Sequence, residues 1–458
     1  MQSINPLNGK LIADYEEHSP DKIREIIAAV DAEFNDWSKL DFSKRAEFLR
    51  RAAKTLRRKK QQLAELMALE MGKILIEGYA EVEKCAWVCE YYADNAEKFL
   101  QNEEIQTDAY KSYVSYKPLG VVLAIMPWNF PLWQVFRFAA PSLMAGNTCV
   151  LKHASNVSGC AIAIEDIFDE SGFPHNAFRT LLTSSSQVNS IIENPSIKAV
   201  TLTGSTPAGK AVASHAGKNL KKTVLELGGS DAYVILDDAN LEKAAEVSVT
   251  SRMINCGQSC IAAKRFIVVE TVLEEFTQLF VGRMKKYQPG NPLDDRANMG
   301  PMARIDLRDE LHTQVKKSIN LGAKCILGGE IPENPGAFYP PTVLTDVQKG
   351  MPAFDEELFE PVAAIISAKD ENDAISKAND SEFGLGGAVF SNNIEKATEI
   401  AENYLQAGSI FVNSFVKSDP RLPFGGIKNS GYGRELSVFG LREFVNIKTI
   451  SVNKFENF

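Results

Sequence analysis

The first hundred residues carry the hydrophobic pattern of amphipathic helices. Apolar residues recur at three- and four-residue spacing over 20–37, 43–72 and 76–100, with charged residues between them. This spacing places the apolar side chains on one face of each helix and the charged side chains on the other. The pattern therefore predicts three helices in this part of the chain.

After residue 110 the pattern changes to short apolar runs separated by helical segments. Five runs follow in order, namely GVVLAIMP, TCVLKH, FRTLLT, IKAVTLTG and KTVLELGG. The segments between them predict helices at about 132–145, 158–170, 186–193 and 206–216. Strands joined by helices of this length form βαβ units, which build a parallel sheet. A second series of the same kind runs from about 231 to about 430.

One strand-like segment lacks a neighbour in sequence. The tail EFVNIKTISVNKF (443–455) alternates apolar and polar residues but follows no adjacent strand. We expect it to pair with the isolated strand around 110–117 in a small arm that reaches another subunit. The predicted fold class is therefore α/β, with two Rossmann-like α/β lobes and a small β oligomerisation arm.

Length and charge narrow the classes of protein to consider. A chain of 458 residues is too long for one compact core, so two or more domains are expected. The net charge of −9 argues against a nucleic-acid or anionic-membrane partner. No apolar run approaches the ~20 residues needed to cross a bilayer, and the N-terminal stretch lacks the pattern of a secretory signal. We therefore expect a cytoplasmic protein.

The stretch NCGQSCIAAKR (255–265) holds two of the seven cysteines, Cys256 and Cys260. Reduced thiols are the rule in the cytosol, which weakens a disulfide interpretation. The chain has no Cys-x-x-Cys, and its five histidines are scattered, so no metal site is predicted. On the local sequence alone, Cys260 is either a nucleophile or a small buried residue.

The stretch GSTPAGKA (204–211) approaches a phosphate-binding motif. Ala211 stands where the motif requires a hydroxyl for Mg²⁺, which disfavours a phosphoryl-transfer NTPase. Because the stretch follows a strand and opens a helix, its N–H groups either hold a phosphate group or belong to an ordinary capped helix start.

Two polar residues, Glu226 and Asn129, stand at positions where a side chain could take part in catalysis. Glu226 lies between Leu225 and Leu227, and desolvation there would raise its pKa towards the range of a general base. A strand residue facing solvent or half of an ion pair is the alternative. Asn129 follows a strand end, where its amide can stabilise an oxyanion.

Together these stretches resemble the aldehyde dehydrogenase superfamily. The chain carries, in the family's order, PWNFP (127–131), VLKHAS (150–155), TGSTPAG (203–209), LELGG (225–229), GQSC (257–260), EELFEP (356–361), SIFVN (409–413) and PFGGIKNSGYGRE (423–435). The spacing from Glu226 to Cys260 is also the family's.

The resemblance implies a role for each matching residue. Cys260 would be the nucleophile, Asn129 with the Cys260 N–H the oxyanion hole, and Glu226 the base that activates water, with Glu435 near the proton route. The implied NAD(P)-binding residues are Pro127, Trp128, Lys152, Ser155, Gly204, Ser205, Leu227, Glu357 and Phe359. The implied substrate-binding residues are Arg137, Phe130 and Ser259.

The same resemblance implies the domain organisation. Residues 1–105 and 119–229 would form the NAD(P)-binding domain and 230–435 the catalytic domain. Residues 106–118 and 441–458 would form the oligomerisation arm of a homodimer or homotetramer.

Departures from the family pattern bear on specificity. Ser155 stands where a Glu would repel a 2′-phosphate, so NADP is the expected cofactor, with NAD as the alternative. Arg137 stands where Lys is common; it either binds a substrate carboxylate or forms a structural ion pair. Among relatives the chain is most similar to bacterial succinate-semialdehyde dehydrogenases, whose second substrate arginine is replaced by Ile254, with Arg252 nearby. Glu360 replaces a usual Gly.

Overall fold

The computed structural model describes residues 1–455. The chain opens with a hairpin and four helices: β1 (Gln2–Ile4), β2 (Leu11–Asp14), α1 (Pro20–Trp37), α2 (Phe42–Arg58), α3 (Lys60–Met71) and α4 (Leu75–Phe99). Ser19 caps α1 through its side chain, and Pro20 occupies the first turn. The helix predicted over 43–72 is two helices, because the backbone of Lys59 leaves the helical region with φ −90° and ψ 8°.

A first parallel sheet carries the N-terminal lobe. After the arm strands β3 (Glu103–Ile105) and β4 (Lys111–Pro118), its elements are β5 (Val121–Met126), α5 (Trp133–Ala145), β6 (Thr148–His153), α6 (Ser158–Glu170), β7 (Phe178–Thr180), α7 (Val188–Glu193), β8 (Ile197–Thr203), α8 (Thr206–Lys218) and β9 (Lys222–Glu226). The strands β9, β8, β5, β6 and β7 lie side by side in that order and run parallel. The order reverses between β5 and β8, where parallel sheets open a crevice for ligands.

A second sheet carries the C-terminal lobe. Its elements, with those that follow to the end of the fold, are β10 (Ala232–Ile235), α9 (Leu241–Met253), β11 (Arg265–Val269), α10 (Leu273–Met284), α11 (Ile305–Asn320), β12 (Lys324–Leu327), β13 (Thr342–Thr345), α12 (Pro352–Asp355), β14 (Val362–Ala368), α13 (Glu371–Asn379), β15 (Phe383–Gly384), β16 (Gly386–Phe390), α14 (Ile394–Asn403), β17 (Ser409–Val412), β18 (Ile427–Lys428), β19 (Gly431–Tyr432), α15 (Ser437–Glu443) and β20 (Val445–Val452). The strand order of this second sheet is β12-β13-β14-β11-β10-β16-β17. Neighbouring strands run parallel, except that β12 is antiparallel to β13. β19 crosses back to pair with β9 of the first sheet.

The arm is a separate antiparallel sheet of order β20-β4-β3. The expected pairing of the tail with the isolated strand is confirmed: β20 pairs with β4 from Val445↔Pro118 to Val452↔Lys111. The arm sheet also includes Glu103–Ile105, which lies before the predicted boundary at 105/106 and pairs with β4. Residues 456–458, the end of the predicted arm, lie outside the described residues. Within 1–455 no helix has the length and apolar character needed to span a membrane.

Candidate active site

Two cavities meet at the side chain of Cys260. The larger, of about 570 Å³, lies between the two lobes, and the smaller, of about 300 Å³, is bounded by α4, α5 and residues 415–418. Cys260 and Gln134 line both cavities. The predicted nucleophile is therefore reached from two sides.

The larger cavity sits at the carboxyl ends of β5 and β8. Pro127 and Trp128 follow β5, and Gly204 and Ser205 follow β8, so all four line the crevice where the strand order reverses. Ser205 caps α8 by accepting the N–H of Ala208 at 3.5 Å. The N-terminal turn of α8, with Thr206 and Pro207, lines the cavity, a position that suits a pyrophosphate.

The opposite wall of this cavity comes from the C-terminal lobe. Glu357 accepts the N–H of Gly229 at 2.9 Å, and Phe359 lies edge-on to Trp128 with ring centroids 5.9 Å apart. A Cβ at Gly228 would come within 2.4 Å of the Glu357 carboxylate, so a larger residue there would displace the Glu357 side chain. Leu227 lines the same wall. A flat ring and a ribose fit between these groups.

Lys152 and Ser155 lie beyond the residues that line the larger cavity, but at the same edge of the sheet. Lys152 pairs with Ile125 of β5, so it lies near the carboxyl end of β6, beside the strand end that Pro127 follows. Ser155 comes two residues after β6 ends. Ser155 is exposed, and the ammonium of Lys152 is partly buried near Glu17. Burial lowers the pKa of Lys152, and the charge of Glu17 opposes that shift.

The loop before Cys260 has unusual backbone geometry. Asn255, Cys256 and Gly257 have φ of 54°, 57° and 75°, all in the left-handed region. A Cβ at Gly257 would lie 2.6 Å from the backbone carbon of Glu360, so glycine is required. The side chain of Cys256 is buried in the core of the C-terminal lobe.

Two buried cations hold this loop from behind. Arg252 donates to the carbonyls of Gly257 at 2.5 Å and Leu358 at 3.2 Å. Lys264 donates to the carbonyls of Ser259 at 2.9 Å and Cys260 at 2.6 Å. Lys264 Nζ also lies 3.6 Å from the Glu357 carboxylate, so one ammonium ties the cysteine loop to the wall of the larger cavity. Arg252 does not line the smaller cavity, whereas Ile254 does.

Burial controls the protonation of the thiol. It raises the pKa of Cys260 to about 12, while the positive charges of Arg137 and then Lys264 act in the opposite direction. The thiol is consequently neutral near pH 7 until a substrate, cofactor or base changes its surroundings.

Asn129, the predicted oxyanion donor, lies against the cysteine loop. Its Nδ2 donates to the carbonyl of Gln258 at 3.0 Å, and its side-chain oxygen is buried without a partner. Its backbone carbonyl accepts from Lys73 Nζ at 2.9 Å and Asn255 Nδ2 at 2.8 Å. One N–H of the Asn129 amide is therefore held, and the second remains for a ligand.

Glu226 ends β9 and is 2% exposed, with no hydrogen-bond partner on either carboxylate oxygen. Burial raises its pKa well above the ordinary value, and nearby Glu435 adds to the rise against Arg137 and Arg434. The predicted desolvation is confirmed. The carboxylate lines neither cavity and lies beside Glu435.

Arg137 lines the smaller cavity and also forms a buried ion pair with Glu435. Its guanidinium donates to Thr203 Oγ1 at 3.3 Å and lies 4.9 Å from the ring centre of Phe424. The ion-pair alternative is thus present in the structure. Phe130 and Ser259, the other predicted substrate-binding residues, line the same cavity.

Lys84 is a functional candidate that the sequence analysis missed. It projects from α4 into the smaller cavity, donates to Ser418 Oγ at 2.7 Å and lies 4.3 Å from the ring centre of Trp133. Burial, and then the charge of Arg137, lowers its pKa to about 8. The one signal in the sequence was the three- and four-residue spacing of Glu77, Glu81 and Lys84, which places these polar residues on one face of α4.

Comparison with known proteins agrees with this geometry. The profile of the aldehyde dehydrogenase family matches residues 1–450. The chain is 45% identical over 448 residues to "Succinate semialdehyde dehydrogenase [NAD(P)+] Sad" of Escherichia coli K12, covering 98% of this chain and 97% of that protein. It is 45% identical over 451 residues to a Mycobacterium leprae protein named as the NADP(+) enzyme of the same kind, covering 98% of each. It superposes with a TM-score of 0.97 on succinic semialdehyde dehydrogenase of Streptococcus pyogenes in complex with NADP+, at 38% identity, covering 99% of this chain and 100% of that one. The chain belongs to the aldehyde dehydrogenase family.

Proposed function

We propose that the protein oxidises succinate semialdehyde to succinate, with NADP+ as the preferred acceptor and NAD+ as a second one. The observation that carries this proposal is the smaller cavity, whose aromatic wall ends at Cys260 and contains the cations Lys84 and Arg137. A short aldehyde acid can place its aldehyde at the thiol and its carboxylate at a cation. The relatives named for this substrate support the same choice.

The carboxylates of the same cavity do not oppose an anionic substrate. Glu77 accepts the N–H of Asn255 at 2.7 Å, and burial raises its pKa. Glu81 pairs with buried Lys73 and accepts the N–H groups of Leu132 and Trp133, each at 2.9 Å. The raised pKa suppresses the charge of Glu77, and Lys73 compensates the charge of Glu81. Lys84 is thus a cation of this cavity without a carboxylate partner within residues 1–455.

The first chemical step uses Cys260 and Asn129. The Cys260 thiol first gives its proton to water in the cavity. The thiolate then attacks the aldehyde carbon, a C–S bond forms, and the C=O π pair moves to the carbonyl oxygen, which becomes an oxyanion. The free N–H of the Asn129 amide and the Cys260 backbone N–H are the donors proposed to stabilise that charge. Arg137 and Lys264 favour the thiolate through their charge.

The larger cavity fits a dinucleotide. The wall at Gly228, the N-terminal turn of α8 and the aromatic edge of Trp128 and Phe359 match a ribose, a pyrophosphate and a nicotinamide ring. When bound, the cofactor supplies the hydride acceptor. Glu357 and Phe359 would orient its reactive end towards Cys260, and Lys152 with Ser155 would receive the adenosine ribose and its 2′-phosphate.

Removal of hydride leaves an acyl thioester on Cys260, which water must cleave. Glu226, turning from its position beside Glu435, would take a proton from this water. The hydroxide attacks the acyl carbon, the C–S bond breaks, and the thiolate leaves with the electron pair. A carboxylate with a raised pKa is a stronger base than an ordinary one, so in its deprotonated form it takes a proton from water more readily.

A substrate panel tests the proposal. Purified protein would be assayed with succinate semialdehyde, butanal and benzaldehyde, each with NADP+ and with NAD+, by following reduced cofactor. We expect the highest kcat/KM for succinate semialdehyde with NADP+. Equal or higher kcat/KM for butanal would reject the substrate assignment, and no turnover with any aldehyde would reject the catalytic function.

We also propose a cytoplasmic homodimer or homotetramer joined through the arm. The arm exposes apolar side chains, among them Ile447 at 61% and Val452 at 40%. Such side chains on a strand favour association. Light scattering at two protein concentrations tests the assembly, and a monomer at both would reject it.

A further inference from the structure

Asn255 closes a ring of hydrogen bonds around the predicted oxyanion donor. Its Nδ2 donates to the carbonyl of Asn129 at 2.8 Å and to the carbonyl of Gln258 at 3.1 Å. The Asn129 Nδ2 donates to the same Gln258 carbonyl at 3.0 Å. The side chain of one residue thus spans the two loops that must meet at the substrate oxygen.

The ring is fixed from outside as well. The backbone N–H of Asn255 donates to Glu77 Oε1 at 2.7 Å, and its carbonyl accepts from Gln258 Nε2 at 3.1 Å. The side chain is 2% exposed, so water does not compete for these contacts. Asparagine is also among the few residues that tolerate the left-handed backbone found here, with φ 54°.

We propose that Asn255 is a positioning residue that sets the orientation of the Asn129 amide for oxyanion stabilisation. One N–H of Asn129 is committed to Gln258, which directs the second towards the thiol side of the loop. Asn255 holds both ends of that contact, the Asn129 backbone and the Gln258 carbonyl, in fixed relative positions. This inference rests on the proposed role of Asn129 in the reaction of the preceding subsection.

Asn255→Gly tests the inference, because glycine keeps the left-handed backbone and removes both side-chain hydrogen bonds. We expect the first-turnover rate of reduced cofactor to fall about tenfold or more, as for a displaced oxyanion donor. KM for the aldehyde and Kd for NADP+ should stay within twofold of wild type. The alkylation rate of Cys260 by iodoacetamide, followed by peptide mass spectrometry, should also be unchanged, since that reaction develops no oxyanion.

Asn413→Gly is the matched control. Asn413 also has a left-handed backbone, with φ 51°, and bridges the N–H and carbonyl of Ser391 at 3.0 and 2.8 Å. The Asn413→Gly variant should have the first-turnover rate of the wild type. If Asn255→Gly does not fold, Asn255→Asp replaces the same donor by an oxygen at constant shape and is measured in the same way.

A double-mutant cycle locates the effect. Asn129→Ala combined with Asn255→Gly should be no slower than Asn129→Ala alone, because Asn255 acts through Asn129. Additive losses, or a wild-type first turnover in Asn255→Gly, would overturn the inference. All rates are measured with propanal as well as succinate semialdehyde, so a wrong substrate assignment shows as activity on propanal alone and leaves this test intact.

Discussion

Arg137 and Glu435 form an ion pair in which the two side chains are 2% and 4% exposed. Arg137 comes from α5 of the first lobe, and Glu435 follows β19 in the other part of the chain. The pair lies beside Glu226, whose raised pKa Glu435 increases and Arg137 decreases. The guanidinium therefore serves the charge balance around Glu226, and its predicted contact with the substrate carboxylate remains a prediction.

Lys84→Met should separate charged from uncharged substrates. Losing one charge-assisted hydrogen bond to a carboxylate is expected to lower kcat/KM for succinate semialdehyde about 10- to 100-fold. Butanal, which has no carboxylate, should be oxidised as by wild type. Kinetics with both aldehydes measure the ratio directly.

Lys417→Met is the control for Lys84→Met, because Lys417 lines the same cavity but is exposed. We expect a change of less than threefold for either substrate. Arg137→Met should lower activity on both aldehydes, since it leaves Glu435 without its counter-charge. Equal losses on both aldehydes in Lys84→Met would contradict a role in carboxylate binding.

The pH dependence of turnover should report Glu226. A general base works when deprotonated, so kcat should rise with pH through the raised pKa of this carboxyl group. Glu435→Gln removes a neighbouring negative charge, which lowers the pKa of Glu226 and moves the rise to lower pH. The profile of kcat against pH for the variant and wild type measures the direction.

Glu399→Gln is the control for Glu435→Gln, because Glu399 is exposed; it should leave the profile of kcat against pH unchanged. Glu226→Gln should release about one equivalent of reduced cofactor per site and then stop, because acylation needs no base at this position. A rise that moves to higher pH in Glu435→Gln would show that Glu435 does not act by charge on Glu226.

Ser155→Glu should shift cofactor preference towards NAD+. A carboxylate at the end of β6 would repel a 2′-phosphate and accept hydrogen bonds from the ribose hydroxyls of NAD+. We expect the ratio of kcat/KM for NADP+ over NAD+ to fall about tenfold or more. Ser155→Gln, of similar size but uncharged, is the control; an unchanged ratio in Ser155→Glu would remove Ser155 from cofactor selection.

Lys73→Met should destabilise the fold. Lys73 is 1% exposed and pairs with Glu81, so its loss leaves a buried carboxylate without a counter-charge, at a cost of about 3–5 kcal/mol. The urea midpoint should fall accordingly. Adding Glu81→Gln should recover part of the loss, whereas Lys54→Met on exposed helix surface should not change the midpoint; equal midpoints for Lys73→Met and Lys54→Met would be the contrary result.

Much of the fold could be predicted from the periodicity of apolar residues and the order of the elements along the chain. The helix predicted at 158–170 is α6 residue for residue, because its apolar spacing is unbroken and turn residues flank it. The break at Lys59 was missed since it falls in a run of charged residues without Gly or Pro. Strand β3 was missed because Glu103–Ile105 is exposed throughout and shows no alternation of burial.

The residues of the candidate site also fall into those that the sequence predicts and those that it does not. Cys260, Glu226 and Asn129 each stand in a short contiguous motif, so the sequence alone points to them. Lys84 and Asn255 donate hydrogen bonds to partners distant in sequence, Ser418 and Asn129, and no local sequence pattern predicts those contacts. The first contact follows from the packing of α4 against residues 415–418, and the second from the packing of the cysteine loop against the loop after β5.

The meeting of two cavities at Cys260 and Gln134 separates the determinants of the two ligands. Residues that would select the aldehyde lie on α4, α5 and 415–418, whereas those that would select the dinucleotide follow β5, β6 and β8. Substitutions on one wall leave the other wall intact. Lineages with this architecture can therefore acquire a new aldehyde specificity while they keep their redox partner, or exchange the redox partner while they keep the aldehyde.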